Sequence, residues 1–136
     1  MKYSIIVPVF NRPNEVEELL ESLTKQSLTD FEVLIVEDGS QITCEEVCKR
    51  YAQQLDIKYF IKPNSGPGMS RNYGAERAQG DYLLILDSDV VLPPNYLKSV
   101  DDELEKTPAD AFGGPDRAHE SFTKQSNVRR NSTSQE

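Results

Sequence analysis

The sequence predicts a three-layer α/β fold, with a mostly parallel sheet covered by helices on both faces. Short apolar runs rich in β-branched residues alternate with segments whose apolar residues recur at helical spacing. The runs are continuous rather than alternating, as in strands buried on both sides. Polar residues capable of chemistry cluster directly after the runs, where parallel sheets open into ligand-binding crevices.

Tyr3 to Val9 is the first strand, and Asn14 is placed to cap a helix carrying Val16, Leu19, Leu20 and Leu23 on one stripe. Phe31 to Val36 is the second strand, ending in Glu37-Asp38-Gly39-Ser40. A helix with Cys44, Val47, Cys48, Tyr51 and Leu55 on its apolar face follows. Ile57 to Ile61 is the third strand, Pro63 to Gly68 a turn-rich loop, and Met69 to Ala78 a helix stopped by Gly80. Tyr82 to Leu86 is the fourth strand. After Pro93-Pro94, the residues Tyr96, Leu97, Val100 and Leu104 mark another helix, and a short fifth strand is expected around Ala109 to Phe112. Residues 1–115 therefore read as one domain. From Asp116 to Glu136 apolar residues nearly vanish, and a disordered polar tail is expected.

Composition excludes several classes. The 136 residues carry a formal net charge of -8, which argues against nucleic acid as a partner. No apolar run is long enough to span a bilayer, and the start lacks the pattern of a signal peptide. Two cysteines at i and i+4 fall on the apolar stripe of a helix with no further ligands to complete a metal set, so core packing is expected, in a reducing cytoplasm.

The chemistry concentrates in Asp81-Tyr82-Leu83-Leu84-Ile85-Leu86-Asp87-Ser88-Asp89, where an apolar strand delivers two carboxylates to its carboxyl end. Oxygen ligands favour Mg2+ or Mn2+, and a diphosphate bound beside two carboxylates needs such a cation. Three other strand ends should converge there. Pro8-Val9-Phe10-Asn11-Arg12 offers a rigid backbone, an aromatic face and a guanidinium, while Asp38 precedes a glycine where a carboxylate can meet a ribose or base edge. Asn64 to Gly74 supplies glycines, a helix start and Arg71, which suit a diphosphate. That loop follows the third strand and lacks the dinucleotide-binding glycine spacing and the Walker lysine, which disfavours nicotinamide-binding and P-loop domains.

These four motifs, in this order over residues 2 to 115, resemble the family 2 glycosyltransferases with the Rossmann-like GT-A fold. The resemblance implies a nucleotide-diphosphate sugar donor, a uridine one by expectation, bound with a divalent cation. It assigns Pro8, Phe10, Arg12, Asp38 and Asn64 to the nucleoside pocket and Arg71 to the base or diphosphate. Asp87 falls to the ribose or the metal, with Ser88 beside it, and Asp89 is implied as the principal metal ligand. The implied reaction is inverting displacement onto an acceptor hydroxyl, with a carboxylate base located well after Asp89. No such base can be assigned here, since Asp110, Asp116 and Glu120 read as solvated charges. The chain reads as truncated after its donor half.

Two alternatives stay open at this point. A nucleotide-sugar-binding fragment without transferase activity fits the same residues. Leu84 to Val91 also resembles the first motif of haloacid-dehalogenase-like phosphatases, although that motif opens its domain and needs a later lysine and paired aspartates. The expected acceptor is a glycan or lipid-linked glycan, with work at the inner face of a membrane, though no residue here anchors to lipid. Apolar surface left by a missing half would favour dimers.

Overall fold

The structure, a computed structural model, describes residues 1–106, 111–113 and 126–131. Among the described residues ten elements follow one another: β1 (Tyr3–Val9), α1 (Pro13–Thr24), β2 (Phe31–Asp38), α2 (Glu45–Tyr51), β3 (Ile57–Lys62), α3 (Pro67–Arg77), β4 (Tyr82–Leu86), α4 (Tyr96–Lys106), β5 (Ala111–Gly113) and β6 (Ser126–Arg130). They build one sheet of order β3-β2-β1-β4-β6-β5. The first four strands in that order are parallel, while β6 runs antiparallel to β4 and to β5. The parallel strands are buried on both faces, which is why their sequences read as unbroken apolar runs.

Side-chain alternation divides the core in two. Ile5, Val7, Val33, Ile35, Leu84 and Leu86 pack under α1, α2 and α4, in one cluster with Val16, Leu19, Leu97 and Val100. Ile6, Leu34, Leu83 and Ile85 form a smaller cluster on the opposite face, with Ala75 of α3 and Ala78 just after it. Each fully buried aliphatic side chain contributes about 1.5–3 kcal/mol. Gly74 lets α3 lie close to this smaller cluster, since a Cβ there would sit 2.7 Å from Cγ2 of Ile6.

Helix starts differ from the sequence reading by a turn or less. Asn14 does not cap α1; Arg12 holds the cap position and Pro13 the first turn, because proline's fixed φ suits a helix start whose N–H needs no partner. Pro67 likewise starts α3 two residues before Met69. The α2 helix stops at Tyr51, and Leu55 reaches the core from the turn that follows.

The expectation of a disordered tail from Asp116 is corrected for one segment. Ser126–Arg130 forms β6, and Val128 is 1% exposed against β4. A strand added through backbone hydrogen bonds needs only one buried apolar side chain here, too weak a signal for periodicity to register. Asn131 continues the docking, donating through Nδ2 to the carbonyls of Ala78 and Gly80. The expected fifth strand is found at Ala111–Gly113, while residues 107–110, 114–125 and 132–136, which include Asp110, Asp116 and Glu120, lie outside the described residues. Among the described residues no helix is long and apolar enough to cross a membrane.

A buried polar network ties the amino ends of the strands to α3. Ser4 Oγ donates to Glu32 at 2.6 Å and accepts from the Gly80 N–H at 2.8 Å, while Glu32 also accepts from the Gln79 N–H and Lys58 Nζ at 2.7 and 2.8 Å. Burial pushes the Glu32 carboxyl up, but these donors outweigh it and hold the group below its usual range. The network lies at the edge opposite the carboxyl ends, so it steadies the scaffold without touching the site.

Candidate functional site

The carboxyl ends of β1, β2 and β4 and the start of α3 enclose a cleft of about 380 Å³. Pro8, Phe10, Arg12, Asp38, Arg71, Asp87, Ser88 and Asp89 line it, together with Val9 and Pro67. Every sequence-selected residue except Asn64 is thus brought to one cleft.

The loop after β1 is held in place from its neighbour. Asn11 adopts a positive φ of 55°, which asparagine tolerates better than most residues. Its backbone N–H donates to Ser40 Oγ at 2.8 Å, and its Oδ1 accepts from the N–H groups of Gln41 and Ile42 at 2.8 and 3.0 Å. Phe10 remains 50% exposed at the rim, a flat face available for stacking. Among the described residues Arg12 pairs only with Glu15, at 3.7 Å and in solvent, weakly enough to yield to an anionic ligand.

Asp38 is buried and its carboxylate is fully engaged. Oδ1 accepts from Lys62 Nζ at 3.0 Å and the Ser65 N–H at 2.8 Å; Oδ2 accepts from the Gly66 N–H at 2.9 Å and Asn64 Nδ2 at 3.4 Å. Burial alone would raise its pKa, but the Ser65 amide, the Lys62 ammonium and the Gly66 amide lower it below the ordinary carboxylate range. Asn64 also donates to the Asp38 carbonyl at 2.9 Å, so it braces the cleft from behind. Gly39, with φ of 75°, permits this approach, because a Cβ there would lie 2.7 Å from Cβ of Asn64.

Helix α3 contributes charge through a side chain more than through its amino end. Asp38 sits at that end and already meets the amides of Ser65 and Gly66, which offsets the helix dipole. Arg71 is half-buried in the cleft wall and has no hydrogen bond or ion pair among the described residues. A guanidinium without an internal partner, facing a cleft, suits a diphosphate better than the helix terminus does.

Asp87 and Asp89 leave β4 into the cleft, both exposed, with Ser88 half-buried between them. Neither carboxylate has an internal partner among the described residues. Such donors fit a hard cation, which takes about six oxygen ligands, so most of the shell would come from ligand and water. In keeping with that, no group of three or more His, Cys, Asp or Glu that could hold a metal by itself occurs among the described residues. Asp87 directly follows the fourth strand, not one that opens the domain, which removes the placement the phosphatase motif requires.

Two other features compete poorly for chemistry. A larger hollow of about 880 Å³ runs between α1 and the segment Val91 to Pro94, but its Glu17 and Glu21 are paired with Arg50 and Lys25. Cys44 and Cys48 are buried free thiols with Sγ atoms 4.0 Å apart, and the adjoining thiol and burial push Cys44 up, away from the reactive thiolate.

The sequence reading missed Val9, Pro67 and above all Lys62. An edge-strand lysine reads as solvated. Only the β2–β3 register, which sets Lys62 opposite Asp38, reveals how far its side chain is enclosed.

Comparison with known proteins identifies the family and the fold. The model of the family "Glycosyl transferase family 2" matches residues 4–135. TarS of Staphylococcus aureus, a poly(ribitol-phosphate) beta-N-acetylglucosaminyltransferase, is 38% identical over 102 residues, covering 72% of this chain and 18% of that protein. A crystal structure of a TarS fragment in complex with UDP-GlcNAc superposes with a TM-score of 0.76 at 33% identity, over 87% of this chain and 36% of that one. Mannosyltransferase PcManGT from Pyrobaculum calidifontis, solved with GDP-Man and Mn2+, shares the fold at 19% identity, with a TM-score of 0.78 over 95% of this chain and 44% of its own. The chain spans between 14% and 36% of the length of the curated relatives it matches. The fold is GT-A, its polar cleft opens at the carboxyl edge of the sheet, and the family match runs from residue 4 to residue 135: the chain belongs to glycosyl transferase family 2.

Proposed function

We propose that the cleft binds a nucleotide-diphosphate sugar, a UDP-sugar by preference, together with Mg2+ or Mn2+. In this reading the chain is the donor half of a glycosyltransferase that works with inversion on a hydroxyl of a glycan or lipid-linked acceptor. One observation carries the reading: Arg71 and the carboxylates of Asp87 and Asp89, none with a partner among the described residues, line the same cleft of about 380 Å³. The neighbour solved with UDP-GlcNAc supports the uridine preference.

Each residue then has a task. Pro8, Phe10 and Arg12 receive the nucleoside from the β1 side, and Asp38 with Asn64 shapes the opposite edge of its pocket. Arg71 meets the negative charge of the diphosphate, and Ser88 and Asp87 lie beside the ribose. Asp89, with Asp87, would hold the cation, which when bound neutralises charge on the departing diphosphate. The base that takes the acceptor proton comes from outside the described residues. Working at the inner face of a membrane suits a lipid-linked acceptor.

Calorimetric titration with UDP, with and without Mn2+ and with ADP as control, tests the proposal. Cation-dependent, uridine-selective binding is expected. A folded sample that ignores UDP, or binds ADP equally well, overturns it. Release of UDP from a UDP-sugar distinguishes transfer from binding alone.

A further inference from the structure

We propose that Lys62 is a positioning residue for the donor cleft: its ion pair with Asp38 clamps the loop from Asn64 to Gly66 and so fixes how α3 presents Pro67 and Arg71. The inference rests on the donor-site reading above, and names the part of the chain that sets its affinity.

The geometry begins with register. Asp38 and Lys62 are cross-strand partners at the carboxyl ends of β2 and β3, so their side chains emerge side by side where both strands stop. There the pair is enclosed, with side chains 7% and 10% exposed and Nζ 3.0 Å from Oδ1. The ammonium spends its remaining donors on the loop itself, on the Pro63 carbonyl at 2.7 Å and on Ser65 Oγ. Lys62 thus holds both ends of a short arc.

Asp38 completes the clamp from the other side. Its carboxylate has about four acceptor positions, and Lys62, Asn64 and the amides of Ser65 and Gly66 occupy them. Besides lining the cleft, Asp38 therefore also acts on it through the loop it holds. Gly66 is the cap of α3, Pro67 its first residue, and Arg71 lies one turn further on. Removing the ammonium leaves a buried carboxylate facing only neutral donors, a state that favours either protonation or a loop shift towards water. Lys62 is absent from the cleft lining, so its effect on a nucleotide must be indirect.

The test combines nitrogen-15 NMR with titration of UDP in the presence of Mn2+, on the unsubstituted chain, Lys62→Met and Lys62→Arg. Lys62→Met is expected to move the Ser65 and Gly66 amide signals, leave those of β1 and β4 in place, and weaken UDP binding about tenfold, as small displacements of binding groups do. Lys62→Arg should recover most of that loss. Binding by Lys62→Met equal to that of the parent, or weakened binding with unmoved Ser65 and Gly66 signals, overturns the positioning role while leaving the donor site intact. If Lys62→Met does not fold, the same signals and affinity are read from Lys62→Arg, where altered loop signals with unaltered affinity overturn the role. No UDP binding by the unsubstituted chain would instead sink the donor-site reading itself, and the affinity claim with it.

Discussion

Gly74 of α3 lies so close to Ile6 of β1 that a Cβ on the glycine would stand 2.7 Å from the isoleucine Cγ2. The contact sets the distance between the helix and the sheet, and therefore the height of Arg71 in the cleft wall one turn earlier. Gly74→Ala should cost about 1–3 kcal/mol through overpacking, despite alanine's better helix propensity. Urea denaturation measures it, and a variant as stable as the parent would show that α3 is free to lift.

Asp89→Ala should abolish the cation dependence of UDP binding while leaving stability within about 0.5 kcal/mol, because the side chain is exposed and has no hydrogen bond or ion pair among the described residues. Titration with and without Mn2+ reads the first effect, thermal unfolding the second. Unchanged metal dependence would remove Asp89 from the proposed ligand set.

Arg71→Met keeps the length of the side chain and removes its charge. Loss of a charged hydrogen bond to phosphate predicts weaker UDP binding by about 1.5–3 kcal/mol. Affinity for inorganic diphosphate should fall with it. A loss confined to UDP would mean that the guanidinium meets the base.

Acid should destabilise the fold in part through Asp38. Its folded pKa is lowered, so its contribution is fully present above the unfolded carboxylate value of about 3.9 and is lost as pH falls through the lower folded value. Glu32 and Asp101 are lowered too and act in the same direction. Asp38→Asn should therefore be less stable than the parent at pH 7, with the difference shrinking towards pH 3. Denaturation at both pH values decides it, and a constant difference would mean that the ion pair is broken in solution.

Val128→Asp puts an unpaired carboxylate where a side chain 1% exposed packs against the sheet, and should cost more than about 2 kcal/mol. Neutral behaviour in thermal unfolding would show that β6 does not pair with β4.

The order of residues along the chain was enough to predict the repeating order of strand and helix, the continuous burial of the four parallel strands, and the meeting of Pro8, Arg12, Asp38, Arg71, Asp87 and Asp89 at one edge. Those properties follow from local periodicity and from the rule that parallel strands present their carboxyl ends together. Tertiary structure decided what depends on register and enclosure. The side chain of Lys62 is enclosed only because β3 sets it opposite Asp38, and the Asp38 carboxylate turns inward only because the loop around Asn64 closes over it. Val128 carries a strand only because the edge of β4 stands open to receive one. A cross-strand partner is chosen by chain segments far apart in sequence, and no local pattern records which residue will face it.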